Sequence, residues 1–118
     1  MIVKTAMRLI LSATLLATLW GSAVSGAELP DNAVWIDVRT PGEYNQGHLQ
    51  QAQLIPFDGI EAGVARLKLP KDTPIYLYCA VGGRAEVAKQ RLQAQSYSNV
   101  TNVGSLEKAR EMANGKTP

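Results

Sequence analysis

The chain has 118 residues, which is enough for one domain with a modest core and leaves no room for a second. Its 12 basic and 10 acidic residues give a net charge of +2. Two of the basic residues, Lys4 and Arg8, lie near the N-terminus, so the remaining chain has 10 basic and 10 acidic residues. This balance offers no electrostatic argument for a nucleic acid or an anionic membrane as partner.

The N-terminal segment has the layout of a secretory signal peptide. After the two basic residues comes an apolar run at 9–20, and small residues follow at 21–27. Ser and Thr interrupt the run, which is shorter than the roughly 20 apolar residues of a spanning helix, so a membrane anchor is the less favoured alternative. We expect cleavage after Ala27, a periplasmic location, no stable membrane insertion after cleavage, and one mature domain at 28–118.

The rest of the chain alternates short β-rich runs with helix-like segments. We predict strands at 33–38, 52–56, 75–79 and 99–103, followed by a turn at Gly104 and Ser105. The third run, IYLYC, is apolar on both faces, which is typical of a strand in the middle of a parallel sheet. The pattern predicts an α/β domain with an open, mainly four-stranded parallel sheet and helices on both faces.

Helices are predicted between these strands and after the last one. Thr40 is a candidate N-cap of a short first helix, with Pro41 at its first position. Asp58 is a candidate cap of a second helix at 57–69, and Ser105 of a last helix at 106–114. The third helix, at 85–95, is expected to bury one side formed by Val87, Ala88, the Arg91 stem and Leu92.

The only cysteine, Cys79, falls at the carboxyl end of the third strand, one loop before a helix. In open parallel sheets, ligands bind at this edge. Disulfides are the usual use of cysteine outside the cytoplasm, but Cys79 has no second cysteine in the chain to pair with. It is therefore inert and buried, reactive, or paired between chains.

The loop after Cys79 favours the reactive interpretation. Gly82 and Gly83 can take backbone angles forbidden to other residues and so turn successive N–H groups inward, which would form an anion cradle. These groups, the start of the next helix and the Arg84 guanidinium, if it folds back over the loop, all favour thiolate over thiol. We predict that Cys79 is the nucleophile. The residues predicted to bind substrate are Ala80, Val81, Gly82, Gly83 and Arg84.

Two segments resemble the rhodanese family. CAVGGR, at 79–84, matches its C-x-x-G-x-R active-site loop, and DVRTPGEYNQGHLQQAQLIP, at 37–56, is similar to its motif D-V-R-x-x-x-E-[YF]-x-x-G-H-[IL]-x-G-A-x-x-I-P. In size and signal peptide the chain resembles exported single-domain members of the phage shock protein E type. The resemblance implies that Cys79 takes sulfane sulfur from a donor such as thiosulfate, becomes a persulfide, and passes the sulfur to cyanide or a thiol, with no cofactor.

Some positions depart from the family pattern. Ala80 stands where a basic residue is common, and Ala85 replaces a frequent serine or threonine. Gln51 and Ser96 replace glycines, and the Gly-Ser pair at 104–105 replaces a glycine pair. The missing cation and hydroxyl weaken the expectation for thiosulfate binding and leave the expected fold unchanged.

Three further residues are candidates for the site. Asp37 and Arg39 end the first strand, which should neighbour the Cys79 strand, so they could contact substrate. We favour a supporting role, in which Asp37 accepts hydrogen bonds from loop backbone and Arg39 pairs with Glu43. His48 could activate a thiol, but the resemblance places its counterpart in a structural motif. One cysteine and one histidine at this spacing cannot assemble a metal site.

Two other functions remain open. Thiol phosphatases and arsenate reductases resemble C-x5-R, whereas Cys79 to Arg84 is C-x4-R, and the tighter loop suits sulfur better than a tetrahedral oxyanion. A non-catalytic persulfide carrier or redox-sensing thiol protein needs only an exposed, reactive thiol. The expected partners are a small anionic sulfur donor and a thiophilic acceptor, with a thiol protein as a further candidate.

Overall fold

The computed structural model describes residues 29–115, so the predicted signal peptide at 1–27 lies outside the described residues. Strands and helices alternate along this part of the chain. Their bounds are β1 (Val34–Asp37), α1 (Pro41–Asn45), β2 (Gln53–Leu54), α2 (Ile60–Leu67), β3 (Ile75–Cys79), α3 (Gly83–Ala94), β4 (Val100–Ser105) and α4 (Leu106–Ala113). A turn of 3-10 helix at Phe57–Gly59 precedes α2.

The four strands form one parallel sheet in the order β2-β1-β3-β4. This confirms the predicted α/β class and the open four-stranded sheet. Strand order reverses between β1 and β3, and β3 lies between β1 and β4. Since the carboxyl ends of parallel strands share one edge, Cys79 at the end of β3 lies close to the end of β1, at the switch point where such sheets bind ligands.

Side chains of β3 alternate between two apolar layers, as the two-residue period of a strand requires. Ile75, Leu77 and Cys79 pack in the layer covered by α2 and α3. Tyr76 and Tyr78 point into the opposite layer, where Trp35 and the α4 residue Ala109 are also buried. The apolar character of β3 on both faces therefore reflects helices on both sides of the sheet, as predicted.

Strand β4 is longer than predicted and runs through the expected turn at 104–105. Its pairing with β3 skips one residue, because Leu77 is opposite Asn102 and Tyr78 is opposite Gly104. Such a bulge places an extra residue in one strand and bends it. Gly104 has a φ of +105°, a conformation that suits glycine and lets the bulged strand continue. Ser105 then caps α4 by accepting a hydrogen bond from the Lys108 N–H, as predicted.

The prediction for the cap of α2 was wrong, and that for the buried side of α3 was wrong in part. Asp58 lies inside the 3-10 turn and Gly59 occupies the N-cap of α2, without a side-chain cap. Helix α3 begins at Gly83, two residues earlier than predicted, and buries Ala85, Ala88 and Leu92. Val87 and Arg91 are exposed, because residues 85, 88 and 92 follow the helical period and residue 87 falls outside their stripe.

Within residues 29–115, no helix combines the length and apolar character needed to cross a membrane.

Candidate active site

Cys79 is a free thiol at the carboxyl end of β3, and its side chain is 1% exposed. Three residues, Ala80 to Gly82, connect it to the first turn of α3. The sulfur therefore lies close to the N-terminus of a 12-residue helix, where the partial positive charge of unsatisfied N–H groups favours an anion. Val81 in the loop is 90% exposed, so the loop is open to solvent although the sulfur is covered.

Gly82 supplies a direct contact to the sulfur. Its backbone N–H donates a hydrogen bond to Cys79 Sγ, with 2.9 Å between nitrogen and sulfur. Gly82 has a φ of +104°, in the left-handed region that favours glycine. A Cβ atom built there would lie 3.5 Å from Gly104 Cα, which is an ordinary contact, so backbone conformation and not space explains the glycine. The predicted cradle is therefore confirmed for Gly82, whereas Gly83 is the first residue of α3 and is not among the glycines with a positive φ.

Arg84 is engaged by a carboxylate from another element. Its two terminal nitrogens donate to the two carboxylate oxygens of Glu43 in α1, at 2.8 and 3.0 Å. Among the described residues no hydrogen bond joins Arg84 to Cys79 Sγ, but the charge of Cys79 contributes, after Glu43, to the raised pKa of Arg84. The anion that an arginine at a helix N-terminus suggests is Glu43, which raises the pKa of Arg84.

Glu43 also takes part in the N-terminal cap of α1. Its carboxylate also accepts from the backbone N–H of Thr40, while the Thr40 hydroxyl accepts from the Glu43 N–H. This capping box and Pro41 in the first turn start the helix as the sequence predicted. The hydrogen bond from Arg84, aided by that from Thr40, lowers the pKa of Glu43 to about 2. Glu43 is thus charged at neutral pH, and the pair joins α1 to the start of α3.

Asp37 and Arg39 form a second ion pair, and the predicted Arg39–Glu43 pair was wrong. Arg39 Nη2 lies 2.7 Å from an Asp37 carboxylate oxygen and also donates to the Gly47 carbonyl at 2.7 Å. Asp37 accepts the Arg39 backbone N–H as well, consistent with the expected acceptance of backbone hydrogen bonds. Its side chain is 0% exposed, in keeping with the favoured supporting role, whereas Arg39 lines the cleft described below.

Tyr78, the residue before the cysteine, shares this buried cluster. Its hydroxyl accepts a hydrogen bond from the Leu49 N–H, and the Arg39 guanidinium lies 5.6 Å from its ring centre. Burial is the main reason that the pKa of Tyr78 is raised to about 12, with Asp37 adding to the rise. Tyr78 thus stays neutral and connects β3 to the segment after α1.

Asn102 is a site residue that the sequence analysis missed. From β4 its amide nitrogen donates to the Gly82 carbonyl and to a Glu86 carboxylate oxygen, both at 3.0 Å, while its amide oxygen accepts the Gly104 N–H. Asn102 therefore holds Gly82, whose N–H contacts the sulfur. Its hydrogen bond is also the main cause of the lowered pKa of Glu86. The only sequence signal is a polar residue within a predicted strand.

His48 makes none of its contacts with Cys79. Its ring stacks on Tyr44 with centroids 3.5 Å apart, and its Nδ1 donates to the Tyr44 carbonyl at 2.8 Å. Nothing among the described residues joins it to Cys79, in line with the structural role that the resemblance implied. No group of three His, Cys, Asp or Glu residues that could hold a metal ion occurs within 29–115.

A cleft of about 280 Å³ adjoins the site. Two of its lining residues lie near Cys79 in the fold: Arg84 is in the first turn of α3, and Val38 belongs to the same buried apolar layer as Cys79. Its other lining residues are Arg39, Thr40, Pro41, Pro56, Phe57 and Asp58.

Comparison with known sequences agrees with this geometry. Residues 25–111 match the family described as Rhodanese-like domain, and the chain belongs to this family. It is 36% identical over 73 residues to the thiosulfate sulfurtransferase PspE of Escherichia coli, a match that covers 62% of this chain and 70% of that protein. A sulfurtransferase of Allochromatium vinosum is 32% identical over 73 residues, covering 62% and 66%. These names support a sulfurtransferase activity.

Longer proteins and solved structures show the same domain. The probable adenylyltransferase/sulfurtransferase MoeZ of Mycobacterium tuberculosis is 34% identical over 89 residues, but the match covers only 23% of it. A solved structure described as rhodanese with anions from E. coli superposes with a TM-score of 0.62 at 34% identity, covering 64% of this chain and 89% of that one. The human single-domain sulfurtransferase TSTD1, at 22% identity and a TM-score of 0.57, shares the fold.

Proposed function

We propose that this protein is a sulfurtransferase that moves sulfane sulfur from a donor such as thiosulfate to cyanide or a thiol through a persulfide on Cys79. The observation that carries this proposal is the 2.9 Å hydrogen bond from Gly82 N–H to Cys79 Sγ, in a loop that opens at the N-terminus of α3. Such a position stabilises a thiolate and, after transfer, negative charge on the terminal sulfur.

In the first half-reaction the Cys79 thiolate attacks the outer sulfur of thiosulfate. A bond forms between Sγ and that sulfur, the bond from the outer sulfur to the sulfonate sulfur breaks, and sulfite leaves with the electron pair. The new terminal sulfur carries the negative charge, which the Gly82 N–H and the N-terminus of α3 are placed to stabilise. This is covalent catalysis, which splits one transfer into two steps.

In the second half-reaction an acceptor nucleophile attacks the terminal sulfur. Cyanide takes it as thiocyanate, and the bonding electron pair returns to Cys79 as the thiolate. A thiol acceptor reacts as its thiolate and leaves as a persulfide. Because the chain has one cysteine, a second thiol of the same chain cannot capture the persulfide as a disulfide, which keeps the cycle open.

The place of action belongs to the same proposal. An export signal at 1–27 would deliver the mature protein to the periplasm, and the balanced charge of the remaining chain gives no reason for binding nucleic acid or a membrane surface. The partners are then a small sulfur donor and a thiophilic acceptor, with a thiol protein as one candidate acceptor.

Intact mass spectrometry tests the proposal directly. The purified protein is incubated with thiosulfate and should gain the mass of one sulfur atom; cyanide should then remove it and release thiocyanate. Cys79→Ala should lose both the adduct and the product, while His48→Gln should retain both. A wild-type protein that forms neither adduct nor thiocyanate with any sulfane donor would rule out both transfer and carriage of sulfur.

A persulfide carrier or redox-sensing thiol is the second candidate, favoured by the engagement of Arg84 with Glu43 and by Ala80 at a position where a second cation is common. A site without an unpaired cation attracts a small anionic acceptor less strongly. In that case the same experiment would give one bound sulfur per chain and only slow release to cyanide. A thiol phosphatase or arsenate reductase is less favoured by the loop length, and aryl phosphate turnover that depends on Cys79 would reverse this ranking.

A further inference from the structure

A second groove, the β2–α2 groove, lies at the edge of the sheet formed by β2. It runs between residues 53–56 and the adjoining face of α2, with Ala62 and Arg66 in its lining. Its volume is about 440 Å³, against about 280 Å³ for the cleft described above. Among the described residues, Pro56 is the only one that lines both. The groove is therefore separate from the site proposed for sulfur transfer.

The groove exists because α2 packs closely on the end of β2 at one point and leaves space beside it. A Cβ atom at Gly63 would clash with the Ile55 side chain, so the helix contacts the strand directly there. A Cβ atom at Gly59 would meet no atom within 4 Å, and Ala62 is exposed. The half-buried Ile55 and Leu67 supply apolar walls, so the space can take an apolar side chain.

The outer edge of β2 offers backbone hydrogen bonds to the groove. Leu54 is opposite Asp37 of β1, and the next residue, Ile55, donates its N–H to the Asp37 carbonyl. Residues of a parallel strand bond alternately to one side and the other, so the N–H and C=O of Leu54 point away from β1. Leu54 lines the groove, and neither group bonds to backbone of a turn, loop or cap within residues 29–115. An extended chain added to this edge would find one donor and one acceptor.

The charge of the groove is positive. Arg66 is the only charged side chain among the described lining residues, and it is exposed. None of the ion pairs within residues 29–115 includes it, because Glu61, the one acidic residue of α2, is paired with Arg91. A guanidinium binds a carboxylate through two parallel hydrogen bonds. The groove thus favours a carboxylate beside an apolar group.

We propose that the β2–α2 groove binds an extended segment of a partner protein that carries an acidic and an apolar residue two positions apart. The segment adds to the outer edge of β2 through the Leu54 backbone. Its apolar side chain lies between β2 and α2, and its carboxylate binds Arg66. Alternate residues of an extended chain face the same side, so this spacing directs both side chains towards α2.

Charge complementarity favours an acidic partner over a second copy of this chain. A symmetric dimer through this edge would bring the same surface of both copies together. The described lining contains Arg66 and no carboxylate, so the interface would hold two cations and no anion. A fatty acid anion could use Arg66 and the apolar walls, but it would leave the Leu54 N–H and C=O without partners.

An NMR titration of the isotopically labelled protein with a short peptide tests this assignment. The probe is the acetylated and amidated pentapeptide Glu-Thr-Val-Thr-Glu, which presents a carboxylate on either side of its valine whichever way the chain runs. We expect saturable shifts confined to the groove at residues 53–67, with a Kd on the order of 1 mM. The Leu54 amide proton should move downfield, because it gains a hydrogen bond. The peptide Gln-Thr-Val-Thr-Gln should bind about fivefold more weakly.

Two pairs of variants on α2 separate the contributions of charge and space. Arg66→Gln should weaken binding of the acidic peptide about fivefold and leave the glutamine peptide unchanged, whereas Lys68→Gln removes an exposed cation outside the lining and should change neither. Ala62→Leu fills the groove and should weaken binding about tenfold or more. Ala65→Leu adds the same atoms at an exposed position of the same helix outside the lining and should have no effect.

The other occupants give different results. Absence of shifts at residues 53–67, or binding that Arg66→Gln leaves intact, would overturn the assignment of the groove. Displacement of the peptide by decanoate without a downfield shift of Leu54 would assign the groove to a small amphiphile instead. A dimer in sedimentation velocity that Ala62→Leu dissociates would assign it to a second copy. Cys79→Ala should bind the peptide as the wild type does, so failure here leaves the sulfurtransferase proposal standing.

Discussion

Two ion pairs flank the Cys79 loop and differ in burial and in sequence separation. Asp37 and Arg39 are two residues apart, with side chains 0% and 9% exposed, so this pair is part of the interior. Glu43 and Arg84 are 41 residues apart, with side chains 35% and 30% exposed, and join α1 to α3 beside the cleft. The difference implies that the first pair contributes to the stability of the interior, whereas the second fixes the position of α1 relative to the start of α3.

Removal of one partner from the buried pair should have the largest effect on stability. Asp37→Asn leaves the Arg39 guanidinium buried without its counter-charge, so we expect a loss of about 3 to 5 kcal/mol in the free energy of unfolding. Urea denaturation measures this loss.

The double variant Asp37→Leu, Arg39→Met provides the control. It removes both charges from the interior, and replacing both partners of a buried pair is often close to neutral, so the double variant should recover much of the stability lost in Asp37→Asn. A double variant as unstable as the single one would show that the carboxylate itself, and not an uncompensated arginine, accounts for the loss.

Asn102 provides a third contact to compare with the two ion pairs. It donates a hydrogen bond to Gly82 in the loop, whereas Arg84, just after the loop, binds Glu43. Asn102→Ala removes three hydrogen bonds and frees the Gly82 peptide, so persulfide formation should slow by about tenfold, with a stability loss of about 1 to 2 kcal/mol. The rate of persulfide formation is measured on folded protein by rapid mixing with a sulfur donor, quenching at set times and mass spectrometry.

Thr73→Ala is the matched control for Asn102→Ala. The buried Thr73 hydroxyl donates to the Pro70 carbonyl at 2.7 Å before β3, at the far end of the strand from Cys79. Its loss should lower stability by about 1 kcal/mol and leave the rate of persulfide formation unchanged. If the two variants slow the reaction equally, Asn102 acts only through general stability.

The exposed Glu43–Arg84 pair should affect how the free energy of unfolding depends on pH. The pKa of Glu43 is lowered from 4.5 to about 2, chiefly by the hydrogen bond from Arg84. A carboxyl with a lowered pKa in the folded state contributes stability that is full above its unfolded pKa and lost as pH falls through the folded pKa. The contribution of Glu43 should therefore be present above about pH 4.5 and disappear between there and pH 2, and Glu43→Gln should flatten this part of the profile.

A third ion pair provides the smallest expected effect and the reference for Glu43. Arg91 and Glu61 lie 3.7 Å apart with side chains 43% and 41% exposed. Such pairs contribute little, so Glu61→Gln should change the free energy of unfolding by no more than about 0.5 kcal/mol. An effect of Glu61→Gln on the pH profile of stability as large as that of Glu43→Gln would mean that exposed carboxylates in general, and not the Arg84 contact, account for it.

Local features of this protein could be predicted from the sequence because they depend on neighbouring residues. The apolar run IYLYC predicted strand β3 with its observed bounds, and the spacing of Thr40, Pro41 and Glu43 is sufficient for the observed helix start. The position of Cys79 before a glycine-rich loop likewise predicted an N–H group directed at the sulfur, which Gly82 supplies.

Contacts between distant segments were decided by the tertiary structure alone. The pairing of Arg84 with Glu43, instead of Arg39 with Glu43, depends on how α1 packs beside the start of α3. The role of Asn102 depends on the pairing of β4 with β3, which places its amide beside Gly82, 20 residues away in sequence. Sequence spacing does not encode such distances, because they arise from the summed packing of all strands and helices. The sequence by itself thus indicated Cys79 and its loop as the candidate site, while the fold determined which charges and hydrogen bonds surround them.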